Sequence, residues 1–406
     1  MEKDICNRRY QLMATAAYYD IDKIWISNLQ YNGLYYYDIS SGKTEFVLPF
    51  PKERHDTWRL HGKIVMQNQE LYFLPDRSRH IHVFNKQENS LIAYDLGIQG
   101  RNGCKNAICY KDKIYFVSEG SGLTLCSIDI ITKKIEKKKI DIEYKGVICR
   151  DMVLVEDKIY IALNGLDIIV MYSIEKDFFV NYKVDGDGHG FGTICFDGTY
   201  FWLSNTSGII RWDRKIENTM TIKAFPKGFG MTIIENGQFM NVEGFTDSFL
   251  KLEKPFEFSV FCGDYILFFP YRTNMIVKLN LKKGNLEEFY IEGEQENQES
   301  LLRKDRITLS HYLGGSQKDY LVFISIKSKA IYINPIGSAD KKSLQKFFLK
   351  AKEPEDLPMY IHNAHLYQEE VDCSLEEFLD SITEKKENLE DEGKFIGKEI
   401  YNYLKF

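Results

Sequence analysis

Proline is scarce in this chain, 9 in 406 residues, and no apolar run approaches the roughly 18 residues a membrane-crossing helix needs. No membrane span is therefore expected. None of the eight cysteines (6, 104, 109, 126, 149, 195, 262 and 373) forms a Cys-x-x-Cys pair. Reduced thiols buried in strands are the expectation. The opening stretch "MEKDICNRRY" lacks the apolar core of a secretory leader. A cytoplasmic protein is expected, in which the sequon Asn205-Thr206-Ser207 carries no meaning. Basic excess is also missing. The net charge is −6, which argues against a general nucleic-acid binder. There is no His-Glu-x-x-His, no nucleophile elbow and no Walker A loop.

What the chain has in quantity is aromatic side chains, 26 tyrosines and 27 phenylalanines. Aromatic and β-branched residues suit half-buried pleated strands. They are arranged in a repeat of apolar strand, tight polar turn and second apolar strand. The turns are read at Asp22-Lys23, Asn68-Gln69, Asp112-Lys113, Asp157-Lys158, Asp197-Gly198, Asn236-Gly237, Gly263-Asp264 and Lys318-Asp319. Asp, Asn and Gly tolerate the positive φ of two-residue hairpin turns. A second hairpin follows most of these, as in "GLYYYDISSGKTEFVLPF".

Four antiparallel strands at spacings mostly between 40 and 47 residues give the period of a β-propeller blade. Eight hairpins appear, but the step of 27 residues from Asn236 to Gly263 is too short for a blade. Seven blades are therefore expected over residues 1–335, with six or eight as alternatives. The N-terminal "ICNRRYQLM" is expected to add a strand to the last blade, because "AIYINP" has no obvious partner after it.

The stretch "FDGTYFWLSNTSGIIRWDRK" (196–215) resembles blades of the NHL, YVTN and streptogramin-lyase type, with their Asp-Gly, Trp and Gly-x-Ile features. The resemblance covers one blade clearly and the others loosely. It implies ligand binding on one channel rim. It also implies that a streptogramin-lyase relative would use a histidine, a glutamate and a divalent metal, but that motif does not map onto this chain residue by residue.

Residues 336–406 break the pattern. "SADKKSLQKFFLKA" shows helical spacing of Leu344, Phe347, Phe348 and Ala351. Ser374 and Glu377 have capping-box spacing before Leu375, Phe378, Leu379 and Ile382. A helical C-terminal tail is expected, packed on the propeller or docking to a partner protein. Its end, "IGKEIYNYLKF", resembles tails of propeller proteins from bacterial glycan gene clusters. That likeness implies an accessory role in a surface-glycan pathway.

For chemistry, the glycine-rich "DGDGHGFG" (185–192) fails as an EF-hand loop, because Phe196 stands where a bidentate Glu is needed. It fails as a dinucleotide fingerprint, since it joins strand to strand. A calcium site of another kind on Asp185 and Asp187 stays open. Gly-Phe-Gly recurs at 228–230, so the motif reads as a hinge into a strand.

Residues entering the inner strands are His61, Lys105, Arg150, His189 and Lys227. The Pro-x-Arg motif in "FLPDRSRHIHVFN" and "FFPYRTNMIVKLN" adds Arg77 and Arg272. Together they predict a basic channel rim that attracts an anion such as phosphate, carboxylate or an acidic sugar. Trp58, Tyr31, Tyr271, Asn164 and Asn205 are placed to stack on or hydrogen-bond a sugar. The alternative is a lyase or glycan-active hydrolase using His189 with Glu119 or Glu243. The leading expectation is a non-catalytic propeller without cofactor or metal. It would scaffold an unknown protein partner or bind an anionic small molecule or glycan.

Overall fold

The computed structural model describes residues 10–351 apart from 56, 121, 143–146, 236–237, 244–253, 272, 295–311 and 338–342. The secondary structure is almost entirely β-strand. Seven sheets of four antiparallel, sequence-consecutive strands follow one another along the chain. They form blade 1 (14–48), blade 2 (61–95), blade 3 (107–139), blade 4 (148–183), blade 5 (193–222), blade 6 (256–288) and blade 7 (312–348). The architecture is a seven-bladed β-propeller. Among the described residues no helix is long and apolar enough to cross a membrane.

Local chemistry explains the strand pairs. In blade 5 the carboxylate of Asp197 accepts from the backbone N–H of Thr199 and Tyr200, both at 2.7 Å, and from Trp202 Nε1 at 2.7 Å. One aspartate thus closes the turn and orients the tryptophan. The turn joining a blade's third and fourth strands uses the same device. Asp38, Asn85, Asp129 and Asn280 each accept backbone N–H groups two or three residues ahead. In the first hairpins, the positive φ falls one residue earlier than the sequence suggests in several blades. Ile21 (φ 45), Lys111 (φ 49) and Glu156 (φ 58) take it, ahead of Asp22, Asp112 and Asp157.

Each blade buries its faces against its neighbours. One apolar cluster joins Ile81, Phe116, Ile159 and Val170 across blades 2, 3 and 4. Another joins Trp202, Phe229, Phe256 and Phe268 across blades 5 and 6. The cysteines described (Cys104, Cys109, Cys126, Cys149, Cys195 and Cys262) are free thiols, and burial pushes the Cys126 thiol up to about 12.

Three expectations are corrected. The segment read on helical spacing at 344–351 is a strand: Gln345–Phe348 pairs with Ala330–Pro335 as the fourth strand of blade 7. The propeller therefore runs past residue 335. The helices expected around 372–406 lie outside the described residues. The N-terminus does not supply a blade strand, because Gln345–Phe348 already does. Instead Tyr10–Gln11 pairs with Lys350–Ala351, and Leu12 N–H donates to Leu349 O at 2.9 Å. The ring is also closed by Gln317 of blade 7, whose side chain donates to Ala17 O (2.5 Å) and accepts from Tyr19 N–H (3.0 Å).

The eighth hairpin is an insertion. Gly230–Glu235 and Gln238–Glu243 form a separate two-stranded sheet. The inner strands of blades 5 and 6 pack side by side without it.

Candidate functional site

In a four-stranded blade, the link entering the inner strand and the turn between the second and third strands lie on the same rim of the channel. Arg59 enters blade 2, Arg101 and Lys105 enter blade 3, and Lys254 enters blade 6. Asp76 and Glu119 follow the second strands of blades 2 and 3. Arg150 and Glu257 stand near the start of inner strands Ile148–Val155 and Phe256–Phe261. Backbone bonds set the register: Gly103 N–H donates to Asp76 O (2.9 Å) and Cys104 N–H to Pro75 O (3.1 Å). Lys105 is thereby carried past Asp76.

Asp76 is fully buried and is the hub. It accepts from Arg59 Nε at 2.5 Å and Arg101 Nε at 2.7 Å, with Lys105 Nζ at 4.0 Å. Burial opposes its charge, but Lys105, Arg59 and Arg101 outweigh burial and hold its carboxyl below the usual range. Lys105 Nζ lies 3.5 Å from Glu257 Oε1, and Lys254 Nζ lies 2.8 Å from Glu257 Oε2. Burial, and then the nearby Arg150, bring Lys254 down to about 7. Burial raises Glu119, with Arg150, Lys105 and Arg101 pulling the other way.

Five cationic side chains (Arg59, Arg101, Lys105, Arg150, Lys254) thus meet four carboxylates (Asp76, Glu119, Asp151, Glu257). Arg150 Nε and Glu119 Oε1 are buried without a hydrogen-bond partner among the described residues. Part of the group, Arg59, Lys105, Arg150, Asp151 and Glu257, lines a channel cavity of about 40 Å³ together with Thr15.

A second, smaller cavity of about 10 Å³ opens between blades 4, 5 and 6. Asn164, Asn205, His189 and Lys254 line it. The Gly-Phe-Gly hinge builds it. Gly190 sits at φ 76, where an added Cβ would stand 2.3 Å from Leu163 O. Its N–H donates to Asp167 Oδ1 at 2.8 Å, and Phe191 is buried.

The structure brings Lys105, Arg150 and Glu119 together at the channel and puts His189 at the smaller cavity. It does not bring in the other sequence candidates. His61 is fully buried between Ser27 Oγ (2.8 Å) and His82 Nδ1 (2.9 Å), and burial pushes it well below the ordinary histidine range. It is a neutral core residue and adds no charge to the rim. Lys227 precedes the inserted hairpin, so it enters no blade. Arg77 stacks on Trp58 at 3.7 Å. Arg272 lies outside the described residues, as does the side chain of Glu243. Asp187 is occupied by His189 N–H (3.0 Å) and the Thr206 hydroxyl.

Sequence reading missed Arg59, Asp76, Arg101, Lys254 and Glu257. Asp76 was the unassigned middle residue of the Pro-x-Arg motif. A cluster of Glu53, His80 and His82 has ligand-like spacing. Its donors are already used: Glu53 Oε1 accepts from Ser78, Arg79 and His80, while His82 Nε2 donates to Pro51 O at 3.0 Å.

No family model matches the chain, and no curated protein matches it. Solved structures are similar at the level of fold. "Structure of U3-55K" is 11% identical with a TM-score of 0.51, over 85% of this chain and 97% of that one. "Crystal structure of RRP9 WD40 repeats" is 12% identical with a TM-score of 0.51, over 85% and 96%. The NHL and YVTN resemblance of residues 196–215 finds no counterpart in these two. At such identities the likeness shows the fold alone, that of a seven-bladed β-propeller.

Proposed function

We propose that this protein is a non-catalytic recognition propeller that captures an anionic group, carboxylate or phosphate, at the mouth of its channel. The group arrives on a small molecule or on an acidic side chain of a partner protein. The observation that carries this reading is the set of three cations, Arg59, Lys105 and Arg150, lining the channel cavity beside two carboxylates, Asp151 and Glu257, with Arg150 Nε buried and unpartnered among the described residues. A buried guanidinium N–H without a partner costs about 1–3 kcal/mol, and an entering oxyanion recovers that cost. The ion pairs around Asp76 hold Arg59, Arg101 and Lys105 in place beforehand, so little ordering is left to binding.

The catalytic alternative has less support. Among the described residues no carboxylate lines the cavity of His189, and Glu119 stands with the channel group instead.

Calorimetric titration with inorganic phosphate and with a short Glu-rich peptide tests the proposal. Binding of at least one should weaken steeply with salt and disappear in Arg150→Ala. Absence of binding by both, or binding unchanged in Arg150→Ala, overturns it.

A further inference from the structure

We infer that the small cavity between blades 4, 5 and 6 is a hydroxyl-recognition subsite, so that the captured anion is a hydroxylated one, a polyol phosphate or sugar acid. The inference rests on the anion-capture reading above and narrows its ligand class.

Two side chains carry it. Asn205 Oδ1 accepts from Ser207 N–H, Ser207 Oγ and Gly208 N–H, each at 3.0 Å. Three donors on one oxygen fix the amide's orientation, so Nδ2 is the end left over. That Nδ2 has no hydrogen-bond partner among the described residues, although Asn205 is only 2% exposed. Asn164, 3% exposed, likewise leaves its Oδ1 without a partner. Asn164 ends the second strand of blade 4, Asn205 directly follows that of blade 5, and both line the same cavity. One supplies a donor and the other an acceptor.

A hydroxyl is the group that accepts and donates at once. A carboxylate would satisfy Asn205 and repel Asn164 Oδ1, and an ammonium would do the reverse beside Lys254. The cavity of about 10 Å³ is at the lower limit for one water molecule. A hydroxyl reaching in from a larger ligand repeats that water's bonds and displaces it.

The cavity neighbours the channel cavity across one ion pair. Lys254 lines it, and Lys254 is paired with Glu257, which lies 3.5 Å from Lys105 at the channel cavity. Gly192 allows the approach, since an added Cβ there would stand 3.0 Å from Lys254 Cβ. In this proposal one ligand sets its anion against Lys105 and Arg150 and its hydroxyl between Asn164 and Asn205, spanning the Lys254–Glu257 pair.

The test is a calorimetric comparison of ethyl phosphate with glycerol 3-phosphate, glucose 6-phosphate and glucuronate. The variants are Asn205→Asp, which keeps the turn-forming oxygen and removes the donor, and Asn164→Ala. The wild-type protein should bind at least one hydroxylated probe about tenfold tighter than ethyl phosphate, the worth of a well-made pair of hydrogen bonds. In each variant that ratio should fall to about threefold or less, the loss expected when one bond of the pair is missing. Reading the ratio removes the effect of the added charge in Asn205→Asp. Equal affinities in the wild type mean that the cavity holds water only, which overturns this inference and leaves anion capture standing. Failure of ethyl phosphate and all three hydroxylated probes to bind overturns both.

Discussion

His61 Nε2 donates to His82 Nδ1 across 2.9 Å inside blade 2, and the tautomers of both rings follow from their outer partners. The Pro51 carbonyl can only accept, so His82 carries its proton on Nε2. Neutral His82 then accepts at Nδ1, His61 donates from Nε2, and Ser27 Oγ donates to His61 Nδ1. Burial favours the neutral form of both rings, and the chain of bonds is complete in that form.

That neutrality gives the first prediction. Burial brings His82 down to about 4, with His80 also opposing its charge and Pro51 and Glu53 favouring it. The unfolded ring takes a proton near pH 6.5, so stability is complete above that value and lost as pH falls toward 4. The loss from His82 alone is about 3 kcal/mol. Urea unfolding between pH 7.5 and 4.5 should show it, and the double variant His61→Leu/His82→Leu should flatten that part of the curve. An unchanged slope in the double variant would refute the neutral relay.

The second prediction concerns Asp76. Its removal leaves Arg59, Arg101 and Lys105 crowded at the channel without their shared counter-charge. Asp76→Asn should cost about 3 kcal/mol, as removal of one member of a buried ion group does. Because the folded carboxyl is held low, its contribution at neutral pH is complete and is lost only in strong acid. A denaturation midpoint within error of wild type at pH 7 would remove Asp76 from its place as hub.

A third prediction comes from the turn of blade 1. Ile21 is a β-branched residue at φ 45 and is 72% exposed, so it has strain and little packing to offset it. Ile21→Gly should stabilise by about 1 kcal/mol. Ile131, 69% exposed and without positive φ, is the control, and Ile131→Gly should give no gain. Equal effects of the two substitutions on the thermal midpoint would argue against strain at Ile21.

The propeller was legible because its determinants are local. A two-residue polar turn between apolar strands specifies a hairpin wherever it occurs, and "FDGTYFWLSN" carries its turn aspartate and the tryptophan it binds within six residues. The same locality explains why eight hairpins are read for seven blades. "KGFGMTIIENGQFMNV" has the pattern of a blade's first hairpin; the short step to Gly263 marks the region as less than a blade, and the packing of blade 5 directly on blade 6 shows that it is inserted. Strand 345–348 was misread because Leu344, Phe347 and Phe348 fit a helical stripe as well as a short outer strand. The site was half legible. Lys105 and Arg150 could be found from their place at strand entry. Asp76 could not, because a turn aspartate looks solvated until Arg59 and Arg101 arrive from two other loops. His61 looked like a rim charge because nothing local says that His82 and Phe50 pack around it.

The inserted hairpin gives the last prediction. Asn274 of blade 6 holds its base from both sides. Asn274 Oδ1 accepts from Gly230 N–H at 2.9 Å, its Nδ2 donates to Gly228 O at 2.8 Å, and its own N–H donates to Gly230 O at 3.2 Å. Phe229 is buried beside Phe225 and Phe256, but the hairpin adds no blade strand. Asn274→Ala removes two of the three bonds and should cost about 1–3 kcal/mol locally. Amide hydrogen exchange should therefore quicken across Gly230–Glu243 by one to two orders of magnitude, about the factor that cost implies. Amides of Phe201–Ser204 in blade 5 and Tyr265–Pro270 in blade 6 should keep their protection, because those strands pair within their own sheets. If blade 6 loses protection together with the hairpin, the two form one cooperative unit and the hairpin is part of the propeller's core.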